Sequence, residues 1–256
     1  MIRILCTAAL LLAAAQAFAS ELAPTGTLRA AFIGRNPVQG TVDPVTKEVR
    51  GPAADLTREL ARRHGVPFTM LPVANAPAVI ESIKSGAADI GFVAVDPVRA
   101  AEIDFSAPYS LAHNTYVVRA ESPIRSLADI DRPGMRLGVG ERDAGDFFLT
   151  RTLTHAELKR NPTGNLDAAV RQLSANEIDA YAANRQRLSE LIARTPGLRL
   201  LDENFYAVQQ AIAVARGQSA RLKLVDDFLD EARASGLIRS ALERAALTGV
   251  DVAPRM

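Results

Sequence analysis

A turn in the first half of the chain joins an acidic cap to an arginine. Asp96-Pro97 follows the apolar run ADIGFVAV, and Arg99 comes two residues later. Aspartate is a favoured N-cap and proline is favoured in the first helical turn, so the pair predicts that a helix begins here. A helix start favours an anion, and a guanidinium beside it can hold a carboxylate by two charge-assisted hydrogen bonds. Arg99 is therefore a candidate anchor for the carboxylate of a small solute.

Arg99 also has a structural interpretation. Glu102 and Asp104 follow closely in the sequence, and either can form a surface salt bridge with the guanidinium. Such a pair is typically worth about 0–1 kcal/mol. The residues alone leave the two roles equally open.

Two further turns carry polar residues where strands are predicted to end. Gly138 and Gly140 precede Asp143 and Ala144 in GVGERDA, and Asn184 ends the run IDAYAAN. The glycines predict that backbone approaches a ligand closely. Asp143 has the alternative role of an N-cap, and Asn184 that of an Asx-turn into the next helix.

The sequence contains no recognised catalytic, cofactor or metal-binding motif. It has no GxxxxGK[ST], GxSxG or HExxH pattern, and the run Gly138-Val139-Gly140 lacks the third glycine of a dinucleotide fingerprint. Its three histidines are scattered along the chain. We therefore expect no cofactor and no metal ion.

The apolar pattern predicts alternating strands and helices. Runs such as TLRAAFI and FTMLPV predict strands, whereas APAVIESIKSG and NLDAAVRQLSANE predict amphipathic helices. This alternation is typical of α/β proteins with mainly parallel sheets, whose ligands bind at the carboxyl ends of strands. Two long extended segments, 114–119 and 206–216, are expected to cross between two lobes. No internal repeat is evident.

The first residues predict a secretory signal peptide. Arg3 precedes an apolar run that ends in AFAS, which predicts cleavage near Ala19. Cleavage would remove Cys6, the single cysteine, and would leave 29 basic residues, one fewer than 30, against 29 acidic ones. Without a basic excess the protein is not expected to bind nucleic acid. We expect export to the periplasm and a fold without disulfides.

Several motifs occur in an order that resembles a known family. GTLRAAF, GPAADLTRELARRHGV, ESIKSGAADIGF, VRAAEIDFSAPY, LGVG and LSANEIDAY follow one another between about Gly26 and Leu247. This order resembles bacterial extracellular solute-binding proteins of family 3, the periplasmic components of amino-acid-type ABC transporters. The resemblance implies a two-lobed periplasmic-binding-protein fold, each lobe a mainly parallel sheet flanked by helices, joined by two hinge strands. After a signal peptide in residues 1–19, it implies lobe 1 in residues 20–113 and 209–256 and lobe 2 in residues 114–208.

The resemblance also implies site residues. In that family the arginine ahead of DFSAPY, here Arg99, binds the α-carboxylate of the ligand. Asn184 falls where the family has an aspartate that takes the α-ammonium, so the charge that would neutralise an amine is lost or moved. The ligand therefore need not be an ordinary α-amino acid. The other implied ligand-binding positions are Asn36, Phe92, Ala94, Asp96, Asp143 and Ala144.

The function implied is capture of a small carboxylate-bearing solute, an amino acid or related organic acid, by lobe closure. The partner implied is an inner-membrane ABC permease, and the protein is expected to be a monomer. The same fold hosts cyclohexadienyl dehydratases, so the alternative is a periplasmic enzyme acting on a carboxylated ring. Its acids would be Asp96, Glu141 and Asp143. No two of these acids are forced together by their spacing, which favours a binding protein over an enzyme.

Overall fold

The computed structural model describes residues 21–255, and the predicted signal peptide lies outside this range. The described chain forms two compact units. Unit 1 comprises residues 21–109, 210–245 and 252–255, and unit 2 comprises residues 110–209 and 246–251.

The secondary structure alternates between strands and helices, as the apolar pattern predicts. The strands are β1 (Leu28–Ile33), β2 (Arg35–Asn36), β3 (Gly40–Val42), β4 (Val49–Arg50), β5 (Phe68–Val73), β6 (Ile90–Ala94), β7 (Ile103–Phe105), β8 (Ser110–Arg119), β9 (Arg136–Gly140), β10 (Glu157–Asn161), β11 (Ala180–Asn184), β12 (Leu198–Leu200), β13 (Tyr206–Ala215) and β14 (Val250–Val252). The α-helices are α1 (Pro52–His64), α2 (Ala76–Lys84), α3 (Pro97–Ala100), α4 (Ala144–Thr152), α5 (Leu166–Ser174), α6 (Arg185–Arg194), α7 (Ser219–Ala234) and α8 (Leu237–Arg244). In the part of the chain that the structure describes, no helix is both long enough and apolar enough to cross a membrane.

The main sheet of unit 1 has the order β5-β1-β6-β13, and β7 also pairs with β13. β1 pairs in parallel with β5 and β6, whereas β13 runs antiparallel to β6 and β7. Every residue of β6 is buried, and helix α2 covers the face of the strand that carries Gly91 and Val93. At Gly91 a Cβ atom would lie 2.6 Å from Ile83 Cδ1 and 2.7 Å from Val79 Cγ1, so this glycine lets the helix pack against the strand. The strands β2, β3 and β4 form a separate antiparallel sheet.

The sheet of unit 2 has the order β10-β9-β11-β8, and β12 and β14 also pair with β8. β9 pairs in parallel with β10 and β11, and β8 runs antiparallel to β11 and β12. Apolar side chains are buried on both faces of this sheet, with Tyr116, Leu137 and Val139 in one cluster and Leu173 and Tyr181 in another. The predicted fold class, an α/β protein whose lobes are built on mainly parallel sheets with helices against them, is confirmed.

The unit boundaries lie close to the predicted lobe boundaries except in one segment. The first boundary falls between residues 109 and 110, where the prediction is between 113 and 114. The second falls between residues 209 and 210, where the prediction is between 208 and 209. Residues 246–251, which the resemblance assigns to lobe 1, belong to unit 2. The main-chain N–H of His113 donates to Gly249 O at 3.0 Å, which ties this segment to β8. The lobe boundaries themselves stay a prediction.

The two units share one structural arrangement, although the sequence shows no evident repeat. Helices α2 and α5 begin at Ala76 and Leu166, and strands β6 and β11 begin at Ile90 and Ala180, so both pairs are 90 residues apart. The helices also share an asparagine N-cap whose side chain accepts a main-chain N–H. Few side chains are identical between the repeats, so the repeat is visible in spacing and contacts rather than in letters.

The same arginine–aspartate pair closes each repeat. In unit 1 the Nη2 of Arg29 lies 2.7 Å from Asp89 Oδ1, and the Arg29 main-chain N–H donates to Asp89 Oδ2 at 2.8 Å. In unit 2 Arg136 makes the same two contacts with Asp179, at 2.8 and 2.9 Å. Each pair joins the start of the central strand to the residue before its parallel neighbour, so it fixes the register of two strands at the ends opposite the candidate site.

Candidate functional site

Arg99 lies in the short helix α3, directly after the buried strand β6. Asp96 caps this helix, because its Oδ1 accepts the Val98 main-chain N–H at 2.9 Å. The predicted helix start is therefore confirmed. The Arg99 side chain is buried, with 4% of the residue exposed, and its Nη1 donates to Ala94 O at 2.9 Å. The guanidinium is thus held at the carboxyl end of β6.

The two carboxylates proposed as structural partners of Arg99 both have contacts elsewhere. The Nζ of Lys84 lies 2.7 Å from Glu102 Oε2, and Asp104 Oδ2 accepts the Gly217 main-chain N–H at 2.8 Å. Each carboxylate is thus held by a residue of its own surroundings, and the anchoring role of Arg99 stays a prediction.

The other predicted residues of unit 1 have different surroundings. Phe92 has no exposed surface, and its ring packs edge-to-face with Tyr109 at a centroid distance of 5.9 Å. Its side chain is therefore part of the core. Ala94 is buried and contributes its carbonyl to Arg99. Asn36 lies in β2, where its Oδ1 accepts the Val38 main-chain N–H at 3.3 Å.

A glutamine pair that the sequence analysis missed supports the first loop. Gln39 Oε1 accepts the Ile33 main-chain N–H at 2.8 Å, and Gln39 Nε2 donates to Gln210 Oε1 at 3.3 Å. Both glutamines are buried. A buried amide requires partners, so this pair fixes the chain where β1 ends. The polar QQ within the otherwise apolar YAVQQAIAVAR is the sequence signal that could have revealed it.

In unit 2 Asp143 occupies the N-cap position of α4, and Ala144 is the first residue of that helix. The predicted N-cap position is therefore confirmed, but the side chain of Asp143 makes no capping hydrogen bond. Instead, Asp143 Oδ2 lies 3.9 Å from Arg187 Nη1. Asp146, in the first turn of α4, reaches back to the preceding loop, where its Oδ2 accepts the Arg142 main-chain N–H at 2.8 Å.

The two glycines before Asp143 serve neighbouring side chains. A Cβ at Gly138 would lie 2.5 Å from Tyr181 Cδ2, and one at Gly140 would lie 2.4 Å from Asp143 Oδ2. These contacts give each glycine a structural role, and the close approach of the backbone to a ligand stays a prediction. Burial raises the pKa of the Tyr181 hydroxyl well above its usual range, and the negative charge of Asp143 adds to that shift. Gly140 thus makes room for the carboxylate of Asp143.

Asn184 ends β11 and caps α6, since its Oδ1 accepts the Arg187 main-chain N–H at 3.3 Å. The Asx-type role is therefore confirmed. Arg187 was missed in the sequence, where it is one arginine among three in NRQRLSELIAR. Its Nη2 donates to Gly164 O at 2.9 Å, beyond the end of β10. The structure thus brings Asp143, Asn184 and Arg187 together at the carboxyl ends of the strands of unit 2.

The arrangement lends itself to holding a polar solute rather than a metal. Among residues 21–255, no group of three or more histidine, cysteine, aspartate or glutamate side chains is placed to bind a metal ion. Each unit instead presents an arginine that a main-chain carbonyl orients at a strand end. Oriented guanidinium groups are suited to binding carboxylates.

The comparisons with known proteins agree with the fold. The L-cystine-binding protein TcyJ of Escherichia coli strain K12 is 23% identical over 220 residues, which cover 81% of this chain and 80% of the relative. Two solved structures share the fold at 20% identity and a TM-score of 0.73: AbpA of Streptococcus pneumoniae bound to L-arginine, and the ancestral amino acid-binding protein AncCDT-1, a precursor of cyclohexadienyl dehydratase. Each of the two matches covers 88% of this chain, together with 96% of the AbpA chain and 97% of the AncCDT-1 chain.

The family assignment rests on a match over most of the chain. Residues 28–245 match the model of the bacterial extracellular solute-binding proteins, family 3. This range includes the strand ends that carry Arg99, Asp143 and Arg187. The chain therefore belongs to the bacterial extracellular solute-binding proteins, family 3.

Proposed function

We propose that this protein is the periplasmic substrate-binding component of an ABC transporter, and that it captures a small carboxylate-bearing solute by closure of its lobes. The observation that carries the proposal is the buried guanidinium of Arg99 at the carboxyl end of β6. Family membership supports the transport role, as do a relative named as an L-cystine-binding protein and a structural neighbour solved with L-arginine bound. The partner in this proposal is an inner-membrane permease.

Arg99 is suited to its proposed role because the protein holds it in place before the solute arrives. Its Nη1 is fixed by Ala94 O, so little side-chain entropy remains to be lost when a carboxylate binds. Its burial lowers the local dielectric constant, which strengthens an ion pair relative to one in water. The guanidinium has five N–H donors, so it can keep the bond to Ala94 and still donate to a carboxylate.

The test is titration calorimetry on the wild type and on Arg99→Ala, with amino acids, their amides and small organic acids. Loss of a charge-assisted pair to a buried carboxylate typically costs about 2–5 kcal/mol, so we expect the affinity to fall by roughly 30- to 5,000-fold. Arg216→Ala is the matched control, because the Arg216 guanidinium also donates to a main-chain carbonyl, that of Ala101 at 2.8 Å, yet is solvent-exposed. Equal affinities in the wild type and Arg99→Ala would contradict the proposal.

A dehydratase-type enzyme is the second candidate, because one structural neighbour is a precursor of cyclohexadienyl dehydratase. Of the acids that this function would use, Asp96 is buried and caps α3, whereas Asp143 is partly exposed and makes no capping bond. Incubation with prephenate or arogenate distinguishes the two functions. Product formation that Asp143→Asn abolishes would favour the enzyme, and the absence of product together with tight solute binding would favour the transport protein.

A further inference from the structure

A buried asparagine of unit 2 lies beside the residues of the candidate site. Asn114 is in β8, directly opposite Asn184, the last residue of β11. Residues that pair in this way have their side chains on the same face of a sheet. Asn114 therefore shares a face with Asn184 at the carboxyl end of β11. No sequence motif marks Asn114, which stands in the predicted extended segment NTYVVRA.

The side-chain amide of Asn114 makes no hydrogen bond within residues 21–255, although only 5% of the residue is exposed. Buried amides are normally paired, because an unpaired buried polar group costs free energy. The neighbouring Thr115 shows the usual arrangement, since its hydroxyl lies 3.1 Å from Leu201 O and 2.7 Å from Glu203 O. Asn114 thus has hydrogen-bonding capacity that the described chain leaves unused.

This amide is directed at the first turn of α4. A Cβ atom at Gly145 would lie 3.2 Å from Asn114 Nδ2, so the glycine lets the amide approach the helix. The Phe147 main-chain N–H donates to Asp143 O at 3.2 Å and begins the helical ladder. The N–H groups of Ala144 and Gly145 come before this bond, where a helix offers its N–H groups to a ligand. The Asn114 amide and these N–H groups therefore lie at one place in unit 2.

The carboxylates around this turn have arginine partners. Asp146 Oδ1 lies 2.9 Å from Arg160 Nε, and Asp143 Oδ2 lies 3.9 Å from Arg187 Nη1. Neither carboxylate offers an uncompensated negative charge to a solute. A cationic group buried beside Asn114 would therefore be costly, whereas an uncharged polar group needs only hydrogen-bond partners.

We infer that Asn114 is a solute-binding residue that selects for a carboxamide group. A carboxamide has an acceptor oxygen and N–H donors, so it can pair with both the Nδ2 and the Oδ1 of Asn114. A carboxylate only accepts and an ammonium group only donates, so each would leave one end of that amide unpaired. The inference rests on the proposed function, because it names a chemical group of the same solute. The residues that carry it all belong to unit 2.

The test compares amides with the acids that match them in shape. The probes are L-glutamine with L-glutamate, L-asparagine with L-aspartate, and glutaramate with glutarate, titrated by calorimetry into the wild type, Asn114→Leu and Asn114→Ala. We expect at least one amide to bind the wild type about 10-fold or more tightly than its acid, the effect of one or two hydrogen bonds. Both substitutions should bring that ratio close to one. Asn114→Ala cannot crowd Gly145, so it serves where Asn114→Leu fails to fold.

Thr115→Val is the matched control. It removes a hydrogen-bonding group from the same strand with little change in volume, but the partners of Thr115 are main-chain carbonyls of unit 2. This variant should melt at a lower temperature than the wild type and keep its amide preference. Without solute, Asn114→Leu should melt no lower than the wild type, because it breaks no hydrogen bond within the described chain.

A purely structural Asn114, for example one that holds a buried water, gives a different result. Asn114→Leu and Asn114→Ala would then lower the melting temperature and leave the amide preference unchanged, which overturns the inference. Arg99-dependent binding in which no amide is preferred over its acid also overturns it, and leaves the proposed function standing. That result needs only the wild type and Arg99→Ala. If none of the probes binds, both the inference and the proposed function are overturned.

Discussion

Replacing Asn184 by aspartate is expected to change which solutes the protein prefers. Asn184 Oδ1 accepts the Arg187 main-chain N–H at 3.3 Å, and an aspartate oxygen can accept the same bond. The substitution therefore preserves the N-cap and adds one negative charge. At the positive end of the ten-residue helix α6, that charge should stabilise the fold by about 0.3–1 kcal/mol. Asn184→Asp is thus expected to fold at least as well as the wild type.

The effect on binding depends on whether the solute carries an amine. A carboxylate about 4 Å from an ammonium group gains about 4 kcal/mol at an effective dielectric constant of about 20. Desolvation offsets part of that gain, which leaves about 1.4–2.8 kcal/mol, or 10- to 100-fold in affinity. A solute that bears only carboxylates should lose affinity through repulsion between like charges.

L-Glutamate and glutarate measure this effect directly, because they differ only in the amine. Titration calorimetry should show the ratio of glutamate to glutarate affinity rising by about 10-fold or more in Asn184→Asp. Asn184→Ser is the control, since it keeps an N-cap oxygen without a charge, and its ratio should match that of the wild type. An unchanged ratio in Asn184→Asp would show that residue 184 does not face the solute, and the reasoning about its missing charge would be refuted.

Three further predictions concern the surroundings of the site and the stability of each unit. Gly140→Ala would place a Cβ 2.4 Å from Asp143 Oδ2, so we expect a loss of about 1–3 kcal/mol in the free energy of unfolding and weaker solute binding, measured by urea denaturation and calorimetry. Burial raises the pKa of Asp226, whose Oδ1 accepts the Ala107 main-chain N–H at 2.8 Å. Ionisation of Asp226 therefore lowers the free energy of unfolding as the pH rises from the ordinary carboxyl pKa through the raised one. Asp226→Asn should melt at or above the wild-type temperature at pH 7, and this advantage should be absent at pH 3, where the wild-type carboxyl is protonated. Asp131 accepts hydrogen bonds from three main-chain N–H groups and one hydroxyl, which hold its pKa well below the usual range. The stability that its ionised form contributes is therefore present above about pH 4 and is lost as the pH falls further. Asp131→Ala should lower the free energy of unfolding by about 2 kcal/mol at pH 7, and a loss that is as large at pH 2 would contradict this account.

The repeat shows why the site of unit 2 was harder to predict than that of unit 1. Arg99 follows an aspartate–proline pair, a strong local signal for a helix start, and the structure confirms that start. Arg187 has no such signal, because it is one of three arginines in the segment NRQRLSELIAR. Arg187 becomes recognisable as the counterpart of Arg99 only when the two units are compared strand by strand.

Asp143 illustrates a second limit. Its position before a helix predicts an N-cap, and it occupies that position, but its side chain makes no capping bond and lies near Arg187 instead. Which group a carboxylate near a helix start contacts depends on its side-chain rotamer and on its charged neighbours. Those neighbours, Arg160 for Asp146 and Arg187 for Asp143, come from other elements of unit 2.

The sequence by itself determined the alternation of strands and helices, the helix start at Asp96 and the family, because these depend on local periodicity, capping chemistry and motif order. Only the tertiary structure decided the partners of the charged side chains. It placed Arg187 beside Asp143, although the two residues lie far apart in the chain. It also packed the Asp143 carboxylate against Gly140, which belongs to no distinctive motif. Such contacts depend on strand order and register, which long-range packing sets and short-range pattern does not encode.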